Sequence, residues 1–195
     1  MPLLGGLIRL YRWRGSEGLD DKELIHRILE GDELALEALH KRYARQIYHY
    51  IYTETKNYND AEEILQEVFY KVSTKLYQFK QRSSFKTWIY VIARNAIVDY
   101  YRKQENQLKT IPLQEELIEH NGGFERGEIL TDLQHSIERL PLKYRRILHL
   151  RYIEGFSLID TARIIGVSVM SVKSTQKRAK KMLKMQLDEG VAWNG

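Results

Sequence analysis

The chain has 195 residues, no cysteine and a formal net charge of +5 at pH 7. The missing cysteines exclude disulfides and thiolate metal sites, and no apolar run is long enough to cross a bilayer as a helix. Hydrophobic residues make up 43% of the chain, with 3 prolines and 12 glycines, so packed helical cores are expected and wholesale disorder is not. The charge is unevenly placed. Residues 129–195 hold 12 Lys+Arg against 6 Asp+Glu, residues 105–128 hold 2 against 6, and residues 19–104 nearly balance at 14 against 13. A basic C-terminal block behind an acidic connector predicts a polyanion-binding module tethered to something else.

The N-terminus, MPLLGGLIRLYRWRG, is apolar then basic, the reverse of a secretory signal, so a soluble intracellular protein is expected. Residues 1–18 read as a frayed extension; the other reading is a tail that touches a membrane surface or nucleic acid. Residues 20–30 and 33–56 predict two helices divided at Gly31-Asp32. In the second, Leu36, Leu39, Tyr43, Ile47, Tyr50 and Ile51 recur at core spacing. Asn59-Asp60 is the expected cap of a third helix through about Gln78, with Ile64, Leu65, Val68, Val72 and Leu76 as its buried stripe. Glu62, Glu63, Gln66, Glu67 and Lys71 face elsewhere, and early glutamates complement the helix dipole. By itself that face reads as solvated.

A polar loop, FKQRSS over 79–84, leads to Ser84 as the cap of a helix through about Lys103. Trp88, Ile92, Ala96 and Tyr100 share one face. The polar set Lys86, Thr87, Arg94, Asn95, Asp99 and Arg102, mixed with aromatics beside a basic loop, suits single-stranded nucleic acid, where bases stack on rings and phosphates meet cations. A well-packed aromatic helix has the same pattern. Residues 104–128, with Pro112, Gly122-Gly123 and the acidic excess, are the composition break and the expected domain boundary.

The helical pattern resumes near Ile129, and Leu140-Pro141 punctuates the start of PLKYRRILHLRYIEG. Ser157 then caps a short helix carrying Leu158, Ala162 and Ile165, Gly166 turns the chain, and Ser168 caps a longer helix. There Val172, Ala179 and Leu183 form the apolar stripe, and Ser174, Lys177, Arg178 and Lys181 lie on another face. This pattern fits a helix-turn-helix whose second helix enters the DNA major groove. A helical hairpin with a solvated basic face is the alternative. The six histidines, His26, His40, His49, His120, His135 and His149, show no metal spacing, and no phosphate-binding Gly loop or catalytic constellation stands out. No catalysis, metal or cofactor is expected.

Four stretches in this order resemble the extracytoplasmic-function (group 4) sigma factors of bacterial RNA polymerase, over about residues 20–186. ALHKRYARQIYHYIY is similar to region 2.1, DAEEILQEVFYKV to region 2.2, SSFKTWIYVIARNAIVDYYRK to regions 2.3–2.4, and the stretch from LPLKYRR to KRAKKML to region 4. The resemblance implies an all-α fold of two small domains: region 2 over 19–104 and region 4 with its helix-turn-helix over 129–186, joined by a flexible acidic linker over 105–128. Residues 1–18 and 187–195 are the extension and the tail.

It also implies roles. Glu62, Glu63, Gln66, Glu67 and Tyr70 would dock on the β′ clamp helices of core polymerase, which replaces the solvated reading of that face. Phe79, Lys80, Gln81, Arg82, Ser83 and Ser84 would capture a flipped base of the −10 element. Phe85, Trp88, Asn95 and Asp99 would read and hold the melted strand, with Lys86, Arg94, Arg102 and Lys103 serving phosphates. Lys173, Ser174, Lys177, Arg178 and Lys181 would meet the −35 element. Thr175, Thr161 and Ile159 depart from the family pattern, the last two at the seat of the first helix of the motif. The implied partners are core polymerase, through the β′ clamp helices and the β flap, promoter DNA and an anti-sigma factor that holds both domains closed. No small-molecule substrate is implied. Free of partners, a cytoplasmic monomer is expected, held at the membrane only through an anti-sigma factor. A helix-turn-helix regulator acting without polymerase is the rival reading, and it has no need of DAEEILQEVF.

Overall fold

The computed structural model describes residues 18–108, 137 and 139–191, and these are helical with no strand among them. Most of the helices begin where a side chain can satisfy free backbone N–H groups. The Asp20 carboxylate accepts the Glu23 N–H at 2.9 Å and starts α1, Asp21–Leu29. Gly31, at φ +89°, turns the chain, and Asp32 accepts the Leu34 N–H at 3.0 Å to open α2, Glu33–Thr55. The third helix, α3, spans Tyr58–Lys75 and is capped by Asn57, two residues before the expected Asn59-Asp60. Lys56 takes a left-handed conformation that leaves Asn57 extended, so the Asn57 Oδ1 reaches the N–H groups of Asn59 and Asp60 at 2.9 and 3.2 Å. After a single 3-10 turn, Leu76–Gln78, and the loop over 79–84, α4 runs from Phe85 to Leu108. It outlasts the expected Lys103 because residues 104–108 contain neither Gly nor Pro. The first four residues of the expected linker, 105–108, are therefore helical. The rest of the linker, with all of its acidic residues but Glu105, lies outside the described residues, as do residues 1–17 and 192–195.

The C-terminal group opens at Pro141 with α5, Leu142–Leu148, which widens into a π-helical turn, His149–Ile153, and stops at Gly155, φ +73°. Ser157 caps α6, Leu158–Ile165, by accepting the Asp160 N–H at 3.0 Å. Gly166 at φ +79° makes the turn, and Ser168 accepts the Ser171 N–H at 3.1 Å to start α7, Val169–Val191.

Helices α1–α4 pack around Leu24, Leu39, Ile47, Ile51, Val68, Val72, Ile89 and Ala93, all fully buried. The C-terminal helices close on two smaller clusters, Leu140–Leu148–Ala179 and Ile147–Ala162–Val172. The main core does not end at the boundary between the groups. Leu150, Phe156 and Ile164 belong to it, so α6 lies against α4 and α5 reaches α2. No described helix is long and apolar enough to cross a membrane.

Candidate functional site

Three surfaces carry the residues singled out by sequence, and the helices around them explain their placement. On α3 the apolar stripe Ile64, Val68 and Val72 is buried, so Glu62, Glu63, Gln66, Glu67 and Tyr70 are all turned to solvent. Tyr70 is 65% exposed, a large ring left outside the core. Lys71 ties this face to α4, lying 3.3 Å from Glu67 and 3.4 Å from Asp99. A groove between α3 and α4 is lined by Glu63, Glu67, Tyr70, Asp99, Tyr100 and Arg102. Within it the Tyr100 phenol is pushed up to about 12, by burial first and then by Asp60.

The loop over 79–84 presents Lys80, Gln81 and Arg82 to solvent, with Gln81 in the left-handed region at φ 53°. Ser83 is half-buried, and Ser84 is occupied as the α4 cap, accepting the Thr87 N–H at 3.0 Å. Phe79, Phe85 and Trp88 form an aromatic cluster with ring centroids 5.3 to 5.7 Å apart. Phe79 and Trp88 are half-buried and keep an open edge. Phe85 is 2% exposed and meets Tyr43 edge-on, so it is a core residue beneath the loop and offers no face to a base. Along α4, Asn95 is exposed and accepts from Arg94 Nη1 at 3.1 Å. Asp99 is engaged by Lys71 and by Arg102, each at 3.4 Å, a network that explains a carboxylate beside apolar neighbours without a ligand. Arg102 and Lys103 are exposed.

On α7, Val172 and Ala179 are fully buried, and Lys173, Ser174, Lys177, Arg178 and Lys181 stand on the solvent side as one basic face. Ser174 Oγ donates to the Ser171 carbonyl at 3.1 Å. The family departures in α6 are accommodated. Thr161 is fully buried, yet its hydroxyl donates to the Ser157 carbonyl at 2.8 Å, so no polar group is stranded. Ile159 is 61% exposed and takes no part in seating the helix.

Lys86 and Thr87, expected to face nucleic acid, instead face the C-terminal group. Lys86 Nζ donates to the Glu154 carbonyl at 2.8 Å and pairs with its carboxylate at 3.1 Å. The Thr87 hydroxyl meets Asp160 at 3.2 Å. Arg146 grips Glu54 with two hydrogen bonds, the Nε bond at 2.7 Å. Sequence reading missed Glu54, although it continues the Ile47, Tyr50, Ile51 stripe of α2 at helical spacing and so marks a carboxylate on a buried face. Among the described residues no cluster of His, Cys, Asp or Glu has the make-up of a metal site.

Burial by itself would raise the Glu154 carboxyl, but His149, Tyr90 and Lys86 around it outweigh burial and hold it down at about 2. A depressed carboxyl contributes stability that is full above its ordinary range and is lost as pH falls from about 4.5 toward 2. The groups facing it are Lys86 and Tyr90 from α4, His149 from its own segment and, further out, His49 from α2. Urea unfolding at neutral pH should show Glu154→Gln less stable than the parent by on the order of 2 kcal/mol. That gap should close as the pH is taken down through this window. A gap independent of pH would remove the charge from the explanation.

Comparison with known proteins gives the family of the chain. Residues 39–107 match the family model for sigma-70 region 2, and residues 130–183 match the model for sigma-70 region 4. The chain is 29% identical over 182 residues to the ECF RNA polymerase sigma factor SigW of Bacillus subtilis, covering 85% of this chain and 96% of that protein. To the RNA polymerase sigma factor SigV of Bacillus subtilis it is 31% identical over 144 residues, 73% of this chain and 85% of the relative. The fold is shared with the sigma factor RpoE of Bartonella quintana, solved in complex with the anti-sigma factor NepR. That match has a TM-score of 0.61 and 22% identity and covers 78% of this chain and 96% of that one. With helices, turns and both matched regions in agreement, the chain belongs to the extracytoplasmic-function branch of the sigma-70 family of RNA polymerase sigma factors.

Proposed function

We propose that this sigma factor directs core RNA polymerase to promoters as a two-point clamp, each point lying on a rigid helix. The observation that carries the reading is the contrast between two solvent-facing surfaces. The α3 face is acidic and amide-bearing around an exposed tyrosine, and the α7 face is basic. The α3 face, Glu62, Glu63, Gln66, Glu67 and Tyr70, docks on the β′ clamp helices, where carboxylates and amides meet cationic partners with fixed geometry. The β flap is the contact for the C-terminal group. Lys173, Ser174, Lys177, Arg178 and Lys181 supply register and affinity at the −35 element through phosphates and base edges. The −10 strand is opened at the loop over 79–84 and held along α4. Phe79 and Trp88 offer ring edges there, Lys80, Arg82, Arg94 and Arg102 meet phosphates, and Asn95 reads a base edge.

Residues 19–104 and 129–186 form the two working domains, joined by the acidic connector. Tethering makes the second contact intramolecular, so promoter spacing is read along with sequence. The chain works as an initiation factor in the cytoplasm, without chemistry of its own. An anti-sigma factor is its regulator, as for the relative solved with NepR. A duplex-binding regulator without polymerase has no use for the α3 face.

In vitro transcription with core polymerase across a promoter library tests this reading. Lys177→Ala with Arg178→Ala should lower −35-dependent initiation by about tenfold to a hundredfold, at roughly 1–3 kcal/mol per lost contact. Asn95→Ala should leave closed-complex formation intact and slow strand opening, followed by permanganate reactivity. Unaltered opening by Asn95→Ala would remove that residue from the −10 assignment.

A further inference from the structure

No large apolar side chain among the described residues is more open to water than Met170, which is 74% exposed. It is the second residue of α7. Lys173, Ser174 and Lys177 follow it at three, four and seven positions, so the four share one face of the helix. Val172 and Ala179, two and nine positions on, lie half a turn round and are fully buried. The basic face of α7 therefore begins with a thioether.

The fold has no use for that side chain. Gly166 makes the turn, Ser168 caps the helix, and Val172 and Ala179 seat it. A methionine left in water forgoes the burial of its methylenes and methyl. Its neighbours show what it adds. Lys173, Lys177 and Arg178 are donors only, and Ser174 gives its proton to the Ser171 carbonyl at 3.1 Å. Cations of this kind meet acceptors: phosphate oxygens, guanine O6 and N7, and thymine O4. None of them has an apolar group to set against the C5 methyl of thymine, the one apolar mark in the major groove. In a helix-turn-helix the residues at the N-terminus of the recognition helix are the ones that reach base edges, and Met170 stands at that end. Its unbranched, polarizable chain adapts to the surface it meets.

We infer that Met170 is a specificity-determining residue, whose side chain packs on the C5 methyl group of a thymine in the −35 duplex. This deepens the assignment of the α7 face to the −35 element and rests on it. The labour is divided along the helix. Lys173, Lys177 and Arg178 supply affinity that falls as salt rises, and Met170 supplies a base preference that does not depend on released counterions.

Deoxyuridine in place of thymidine removes the methyl and keeps the hydrogen-bonding edge and the charge, so it tests this contact alone. The chain assembled with core polymerase selects promoters from a library, and each −35 thymine of a selected promoter is replaced in turn. Initiation is read by in vitro transcription. At one thymine, loss of the methyl should lower initiation by the parent about fourfold. Met170→Ala should lose a similar factor on the unmodified promoter and be indifferent to the replacement, and Met170→Leu should keep the sensitivity. Because the side chain is exposed, the melting temperature of Met170→Ala should match the parent's, and its salt dependence should be unchanged because no phosphate contact is lost. A parent indifferent to every replacement, a Met170→Ala variant as sensitive as the parent, or selected −35 elements without thymine overturns the inference. Lys177→Ala with Arg178→Ala on the same promoters separates the two readings. If that variant initiates like the parent, the −35 assignment falls and the methionine contact with it. If it is impaired while Met170→Ala keeps the methyl sensitivity, the −35 assignment stands and the methionine contact alone falls.

Discussion

Reversing two charges on the α3 face, Glu62→Lys with Glu63→Lys, is expected to lower affinity for core polymerase by about a hundredfold, close to 2.7 kcal/mol. Both carboxylates are exposed and stand in the second turn of α3, past the first turn where the helix dipole acts, so little of the cost falls on the helix itself. The melting temperature of the free chain should therefore change little. The larger effect comes from placing cations against a partner surface that selects anions, which costs more than losing the attraction. Surface plasmon resonance with immobilised core polymerase measures it, and Glu62→Gln with Glu63→Gln should fall between the parent and the reversal. Equal affinity of the reversed variant and the parent would take this face out of the polymerase interface.

Ile47→Ala should destabilise the chain by about 3 kcal/mol, a large part of the 5–15 kcal/mol that holds a typical domain folded. Ile47 is fully buried at the middle of α2, in the cluster that joins α1, α3 and α4. Deleting its outer carbons leaves a cavity among helices that cannot collapse without shifting their caps and loop. Leu183→Ala on α7 is the useful contrast. It is half-buried at the edge of a small cluster, so its loss should be about half as large. Urea unfolding followed by circular dichroism gives both values. A cost below 1 kcal/mol at Ile47 would mean that the main core is not where these helices are joined.

Most of the fold was legible from sequence because its signals are local. Asp20, Asp32, Ser84, Ser157 and Ser168 are caps with apolar stripes behind them, and Gly31, Gly155 and Gly166 sit where positive φ is needed. The misplaced cap at Asn59-Asp60 has a conformational reason. Three polar residues compete there, and the left-handed turn at Lys56, invisible in composition, hands the role to Asn57. The candidate site divides in the same way. Exposed faces follow from helical periodicity, so Glu62, Glu67, Lys177 and Arg178 stand where spacing places them. Phe85 and Asp99 do not follow: periodicity sees an aromatic and a carboxylate on α4, and only packing makes one core and the other an ion-pair partner.

Helices, turns, burial stripes and the family are legible without coordinates, because each depends on residues within a few positions of one another or on an ordered set of motifs. What Glu54, Lys86, Thr87 and Arg94 touch follows from packing alone. Arg146 lies 92 positions from Glu54, and Asp160 lies 73 from Thr87. No periodicity reaches across such separations. The pairing exists because two apolar faces close first and bring opposite charges within bonding distance, where burial makes leaving either one unpaired more costly than joining them.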